Sequence, residues 1–322
     1  MAYQANDTIL DDEYNAFVSN SSSPFGYNHF AGTGALQYGL GQSTISTVAA
    51  GGTITAAQWN SLWTAMDNIA NHTNDTLTST AAVFSGNTIA IKSALIADLA
   101  TLAASVAAGS PNATALSTSA VLQTGTATGP WYTSFTSVFT ITFTNADQMR
   151  WFFNQGGKVQ VYGARTGDGN TPSGANAKDL SWDSLYTALG NITIASQAST
   201  RSGTGETLTT DGLALGFHDF DATEKTIIRL TESSSPYTAN YIDVTAQLNA
   251  AVGTATVLTV RVKSIDGATD DTYTAGNTAG VNATVDRNGV HAHYLKTINP
   301  TTAEGLATAY TPSSTGVTPT TV

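Results

Sequence analysis

The sequence predicts an α+β protein, with a helical N-terminal docking region followed by a mainly antiparallel β-sandwich or jelly-roll-like domain carrying short inserted helices. Three observations predict it. Apolar residues recur at helical spacing as far as Ala108, and after Pro130 the pattern turns to period two. Thr supplies 54 of the 322 residues, and its branched β-carbon favours strands.

The N-terminal part carries an internal repeat. Thr8-Ile9 is followed by Glu13-Tyr14-Asn15 and Phe17-Val18, and Thr53-Ile54 by Gln58-Trp59-Asn60 and Leu62-Trp63 in the same register. Each copy reads as an extended lead-in to a helix. In the second, Thr55 and Gln58 have capping-box spacing. Trp59, Leu62, Trp63, Met66, Ile69 and Ala70 then share one face of a helix over 56–71. In the first, Tyr14, Phe17 and Val18 make the same stripe. A third helix is expected over 89–108, with Leu95, Leu99, Leu102 and Val106 at heptad spacing and Gly109-Ser110-Pro111 as its stop. The Thr/Gly/Ser-rich residues 111–130 read as a linker.

Residues 131–300 read as the β-rich domain. Phe135, Ser137, Phe139, Ile141 and Phe143 alternate with polar or smaller residues, giving a strand with an aromatic inner face. Asn145 caps a helix bearing Met149, Phe152 and Phe153. Ser181 is read as the cap of another, bearing Trp182, Leu185, Tyr186 and Leu189. Further strands are expected at 158–162, 192–196, 213–217, 226–230, 241–248, 256–263 and 291–298. Residues 301–322 read as an extended or disordered tail.

Charge is sparse. Charged residues make up 11% of the chain, and 12 basic against 23 acidic residues leave a net charge of −11. That balance argues against a nucleic-acid partner, which needs clustered Lys and Arg. No apolar run has the length of a spanning helix, so no membrane insertion is expected. The start lacks the basic and apolar regions of a secretory signal. Without Cys there is no thiolate metal site, disulfide or Cys nucleophile. Lys92 is the only Lys or Arg among residues 1–149. A surface so poor in cations reads as one that docks against other protein, with Tyr14, Phe17, Trp59, Leu62 and Trp63 as apolar anchors.

Two constellations carry candidate chemistry. His291 and His293 sit two apart on a strand, so both imidazoles face one way. Three chains around an axis would bring six nitrogens to one metal, whereas the simpler reading is a solvent-facing pair on an edge strand. Asp219 and Asp221 flank Phe220 and have strand spacing for paired carboxylates, but turn chemistry is the better reading. The residues from Arg165 to Asn170 lack calcium-loop spacing. Four of the five Trp fall on expected helices and read as packing residues. No enzyme and no cofactor are expected.

The run Met149-Arg150-Trp151-Phe152-Phe153-Asn154-Gln155-Gly156-Gly157-Lys158-Val159 resembles a segment of virion structural proteins of tailed bacteriophages, notably cyanophages. There an Arg-aromatic-Phe-Phe-Asn-x-Gly-Gly stretch joins a helix to a strand. The lead-ins at Thr8 and Thr53 and the stretch from Pro236 to Ile242 look similar to the same proteins. The resemblance implies a virion component made in the host cytoplasm, tail- or tail-fibre-associated. Neck, baseplate and head-surface positions stay open, as does a carbohydrate-binding adhesin whose loop 166–177 meets a glycan. Its implied partners are copies of itself, with three-fold symmetry expected, other virion proteins, and a host-surface glycan.

Overall fold

The computed structural model describes residues 11–79, 92–127, 131, 133–166, 177–268, 271–275, 278–282, 290–316 and 319–321. The chain divides into two compact units. The first comprises residues 1–117, 145–157 and 299–311; the second comprises 118–144, 158–298 and 312–322.

The first unit is helical. Its helices are α1 (Asp11–Val18), α2 (Tyr27–Phe30), α3 (Ala56–Thr73), α4 (Lys92–Ala108) and α5 (Ala146–Asn154). Helix α3 starts where its capping box predicts: Thr55 accepts from the Gln58 N–H, and the Gln58 side chain returns to the Thr55 N–H. It ends at Asn74 in the left-handed region, φ 61°. The four heptad positions of α4 are all buried, against Met66, Ile69 and Leu306 among others. The two repeat copies meet in this core. Phe17 stands edge-to-face on Trp59 at 6.3 Å, and the Tyr14 hydroxyl donates to the Gln58 carbonyl at 3.3 Å. Helix α5 begins at Asn145, whose side chain accepts from the Gln148 N–H at 2.9 Å.

The second unit is built of strands and, among the described residues, carries a further α-helix, α6 (Ala177–Leu189). In chain order the strands are β1 (Leu116–Thr118), β2 (Gln123–Thr126), β3 (Ser134–Thr142), β4 (Lys158–Thr166), β5 (Ile192–Ile194), β6 (Ser199–Arg201), β7 (Thr207–Asp211), β8 (Lys225–Thr231), β9 (Tyr241–Leu248), β10 (Val257–Ile265), β11 (Asp271–Ala275), β12 (Thr278–Asn282), β13 (Val290–Pro300), β14 (Ser313–Gly316) and β15 (Thr320–Thr321). The boundary between the units runs through β1.

One sheet has the order β1-β13-β4-β5-β6, with β2 also on β13. The other runs β14-β3-β10-β9-β8-β7, with β15 also on β3, and β11 and β12 make a separate pair. The β3–β10–β9–β8–β7 ladder is antiparallel throughout. Strict alternation of burial along β3 and β10 turns Phe135, Phe139 and Ile141 inward with Leu258, Val260 and Val262. The sheets are layered as a sandwich, because His293 on β13 bonds to Ser264 on β10 and Ser137 on β3.

Four sequence expectations need correction. The described part of 111–130, residues 111–127, is not a linker: β2 pairs with residues 292–295 of β13, and the Ser119 and Leu122 N–H groups donate to the Thr297 and Leu295 carbonyls. Thr and Ser there serve as strand residues rather than as spacers. Within 131–300, residues 145–157 belong to the first unit. In the tail, residues 301–311 also join the first unit, contributing the buried Leu306, while β14 and β15 extend along β3. Residues 213–217 form no strand. The Asp211 carboxylate accepts from the Leu213 N–H and Asp219 from the Gly216 N–H, turning the chain into a short 3₁₀ helix at Phe217–Asp219.

β14 and β15 cover the edge of β3 away from β10. Deleting residues 312–322 exposes a long ladder edge, and a bare edge recruits other chains. The truncated chain should show concentration-dependent growth in light scattering and a lower Tm. Scattering and Tm equal to those of the full chain would show that these strands protect nothing.

Candidate functional site

The run that carries the resemblance begins on α5, and its polar side chains are spent on backbone carbonyls. Arg150 is 5% exposed. Its guanidinium donates to the carbonyls of Thr33, at 2.5 Å, and Tyr38, with Leu36 at 3.5 Å. Its one carboxylate partner, Asp147, is largely in solvent. Asn154 donates to the Leu36, Tyr38 and Gly39 carbonyls at 3.0–3.1 Å, and Trp151 to Thr33 at 3.1 Å. Gln155 reaches Leu40 and Thr308, and Gln42 reaches the same two carbonyls. Three segments distant in sequence are thereby fixed together.

This clamp shapes the loop between Thr33 and Gly41. With its carbonyls drawn inward, Leu36 is held at φ 51° and its side chain is 63% exposed. A left-handed leucine costs about 1–2 kcal/mol and persists only where its surroundings impose it.

The expected docking anchors are internal. Tyr14, Phe17, Trp59 and Leu62 are buried in the first unit's own core. Trp63 is half-buried and donates to the Ser79 carbonyl at 3.2 Å. The shared stripe of the repeat exists because the two copies pack on one another, so these residues are corrected from partner anchors to core.

His291 and His293 do share a face, but it points into the sandwich, and both are fully buried. His293 Nδ1 lies 3.0 Å from Ser137 Oγ and Nε2 3.0 Å from Ser264 Oγ. His291 Nδ1 lies 3.2 Å from the Tyr186 hydroxyl, which also meets Ser264 at 2.9 Å. Phe135 stacks on His293 at 4.3 Å, and Trp131 and Trp182 stand edge-on to His291. Two glycines make the room. Gly125 and Gly163 flank His293 on either neighbouring strand. A β-carbon on Gly125 would strike Ser137 at 2.2 Å, and one on Gly163 the Tyr186 ring at 2.3 Å. The metal expectation is therefore corrected. Both His293 nitrogens already have hydroxyl partners, and a buried pair cannot meet two further chains at an axis. Among the described residues no cluster of three metal-ligating side chains occurs.

Asp219 and Asp221 are turn residues: Asp221 accepts from the Thr223 N–H at 2.7 Å and pairs with Lys225 at 3.0 Å. In the 166–177 loop, residues 167–176 lie outside the described ones.

One site has no motif behind it. A hollow of about 330 Å³ opens beside α6, lined by Ser181, Ser184, Glu232, Ser234, Pro236 and Tyr237 among others. Ser181, expected as a helix cap, lies inside α6 and donates to Glu232 at 2.7 Å. Glu232 follows β8, is 3% exposed, and also accepts from the Ser234 N–H at 3.0 Å. Glu206 precedes β7 with φ 54°. It accepts from Ser184 Oγ at 2.9 Å and from the Ser233 N–H at 2.7 Å. The adjacent N–H groups of Ser233 and Ser234 thus serve the two carboxylates, one each. Burial pushes the Glu206 carboxyl up, but the Ser233 N–H, Ser184 and Glu232 outweigh it and hold it below the ordinary glutamate value. Only the glutamate closing a strand run, Glu232 before Ser233-Ser234-Ser235, could have signalled this site.

Two predictions follow from this geometry. Replacing Asn154 by Ala leaves the buried Gly39 carbonyl without its donor and Leu36 and Tyr38 to Arg150 alone, so the chain should lose about 1–3 kcal/mol of stability in denaturant unfolding; an unchanged midpoint would show the Asn154 bonds to be dispensable. The second concerns acid. Burial lowers His291 to about 3, aided by the nearby Arg165 charge, lowers His72 to about 4, and lowers His293 well below the usual range. The folded chain keeps all three neutral, while the unfolded chain protonates them below about 6.5. Stability is complete above that value and falls as pH drops toward 4, by up to about 1.4 kcal/mol per unit for each histidine. Denaturant midpoints from pH 7 to 4.5 should show this slope, and His291→Phe should reduce it. A flat parent profile would refute neutral burial.

Comparison of the chain with family models, with curated proteins and with solved structures returns no match.

Proposed function

We propose that the chain is a structural component of a tailed-phage virion, tail- or tail-fibre-associated, that assembles through protein–protein contacts. One observation carries the reading. The residues behind the resemblance build a rigid mount, and that mount holds an apolar side chain outward. Arg150 and Asn154 both grip the Leu36 carbonyl, and Leu36 projects into solvent from a strained backbone. A loop kept only for folding would gain by placing Gly at a position held at φ 51°.

The reading thus moves the contact surface from the buried aromatic anchors to the loop around Leu36. Partners are other virion proteins and further copies of the chain, with three-fold symmetry kept as the proposal. A neck, baseplate or head-surface position would use the same mount.

The test is direct. The protein should occur at stoichiometric copy number in gradient-purified particles of the phage that encodes it. Leu36→Glu should leave the Tm within about 1 °C, since an exposed substitution changes stability little, yet cut incorporation at least tenfold. Normal incorporation of the variant would dismiss Leu36 as the contact. Absence of the parent protein from particles would dismiss the virion reading. Light scattering of the parent at about 100 kDa, three copies of the 33.2 kDa chain, is the expected solution mass.

A further inference from the structure

We propose that the outward face of the sheet β1-β13-β4-β5-β6 binds an acidic polysaccharide, with Tyr162, Tyr294, Lys158 and Lys296 at its centre. The inference goes beyond the virion reading and does not depend on it, since it rests on the second unit alone.

The strand pattern sorts the residues. Side chains alternate along β4 and β13, and Val159, Val161, His293 and Leu295 turn into the sandwich. The alternate positions face outward and are half-buried: Lys158, Gln160 and Tyr162 on β4, Tyr294 and Lys296 on β13. Pairing sets them in rows, with Tyr294 opposite Tyr162 and Lys296 opposite Gln160. The two tyrosine rings are stacked, 4.8 Å between centroids and 17° from parallel. The Lys296 ammonium stands over the Tyr162 ring at 5.0 Å. Gln160 donates across to Thr193 Oγ1 on β5 at 3.0 Å. On the other side Thr124 of β2 lies opposite Tyr294.

Charge sets this face apart. The chain carries a net charge of −11, yet the six strands of this sheet contain no Asp or Glu. Lys158 and Lys296 are diagonal neighbours across the β4–β13 pair, about 7–8 Å apart at the backbone. Among the described residues neither forms an ion pair. The lysines of the other sheet differ, since Lys225 meets Asp221 and Lys263 meets Glu224. What Lys296 has instead is a ring face, which positions an ammonium without cancelling its charge. Two such charges side by side repel one another, and an anion seated between them removes that repulsion.

The neighbours of the lysines select the class of anion. A chain of acidic sugars engages every group on the face: carboxylates or sulfates meet the ammonium groups, ring C–H groups pack on the tyrosines, and hydroxyls meet Gln160, Thr193 and Thr124. A neutral glycan would leave both lysines idle. A protein partner fits less well, because lysine is depleted at protein–protein interfaces. A nucleic acid draws its affinity from many phosphate contacts, and two lysines on an acidic chain supply few.

The experiment titrates the full chain with polygalacturonate, hyaluronate and heparin by calorimetry at low ionic strength, with dextran as the neutral control. At least one acidic polymer should bind, and dextran should not. Lys158→Gln and Lys296→Gln should each weaken that binding about tenfold. Both should keep the Tm within about 1 °C, because they alter an outer face. Tyr294→Ala should weaken binding although it removes no charge, and Lys263→Gln on the other sheet should bind as the parent does. Binding to none of the three polymers overturns the proposal. So does an equal loss in Lys263→Gln and Lys296→Gln, which would mark a general attraction of polyanions. Equal affinity for a single-stranded thymidylate oligomer overturns it too, and would make the face a nucleic-acid site.

Discussion

Buried backbone must find hydrogen-bond partners, and in this chain much of the backbone that needs them is neither helix nor strand. The clearest answer is the grip of Arg150 and Asn154 on the carbonyls between Thr33 and Gly39. The same solution recurs with amides alone. Asn15 exchanges two hydrogen bonds with Val48, and Asn28 does so with Ile45, each standing in for a strand neighbour. Asn240 accepts from the N–H groups of Gly267 and Ala268, and Asn249 from those of Thr256 and Val257. In a protein with 11% charged residues, neutral amides carry the work that ion pairs do elsewhere. An amide presents donor and acceptor together, so it can mimic a peptide unit where a carboxylate cannot.

The second unit meets the same constraint between its sheets. Its interior holds a chain of hydroxyls and imidazoles from Tyr186 through Ser264 and His293 to Ser137. Such a network contributes little net stability compared with an apolar filling, but it punishes misregister severely. Shifting β13 by one residue would turn His293 out and bring Tyr294 in, leaving Ser137 and Ser264 without partners. The glycines opposite His293 then make sense as part of the same device, since they clear the space through which Ser137 and Tyr186 reach it.

How much of this was legible follows from the range of each interaction. Helices α3 and α5 and strands β3, β9 and β10 rest on local signals: a capping pair, an Asn cap, period-two alternation. Those survive any tertiary context, and their limits come within a few residues. The use of each element did not survive. Tyr14, Trp59 and Trp63 look like anchors because amphipathic spacing reveals an apolar face without revealing what covers it. His291 and His293 share a face as spacing demands, yet which side faces the core depends on the sheet's partner. Residues 111–130 have a linker's composition, and only pairing with β13 makes them strands. Glu206 and Glu232 lie 26 residues apart, so no spacing rule could join them; the Ser233 and Ser234 N–H groups do that in space.

That same sparseness of charge leaves buried carboxylates to neutral donors. The cations are few, and those in the described ion pairs of the second unit meet Asp183, Asp221, Asp243 and Glu224. The first unit shows the contrasting case. Asp98 is a lone buried carboxylate, held below its ordinary value because the hydrogen bonds from Thr78 and Ser79 outweigh the cost of its burial. A single carboxylate can be balanced by neutral donors alone. Glu206 in the second unit follows the same rule, since the Ser233 N–H and Ser184 outweigh its burial and hold it below its ordinary value.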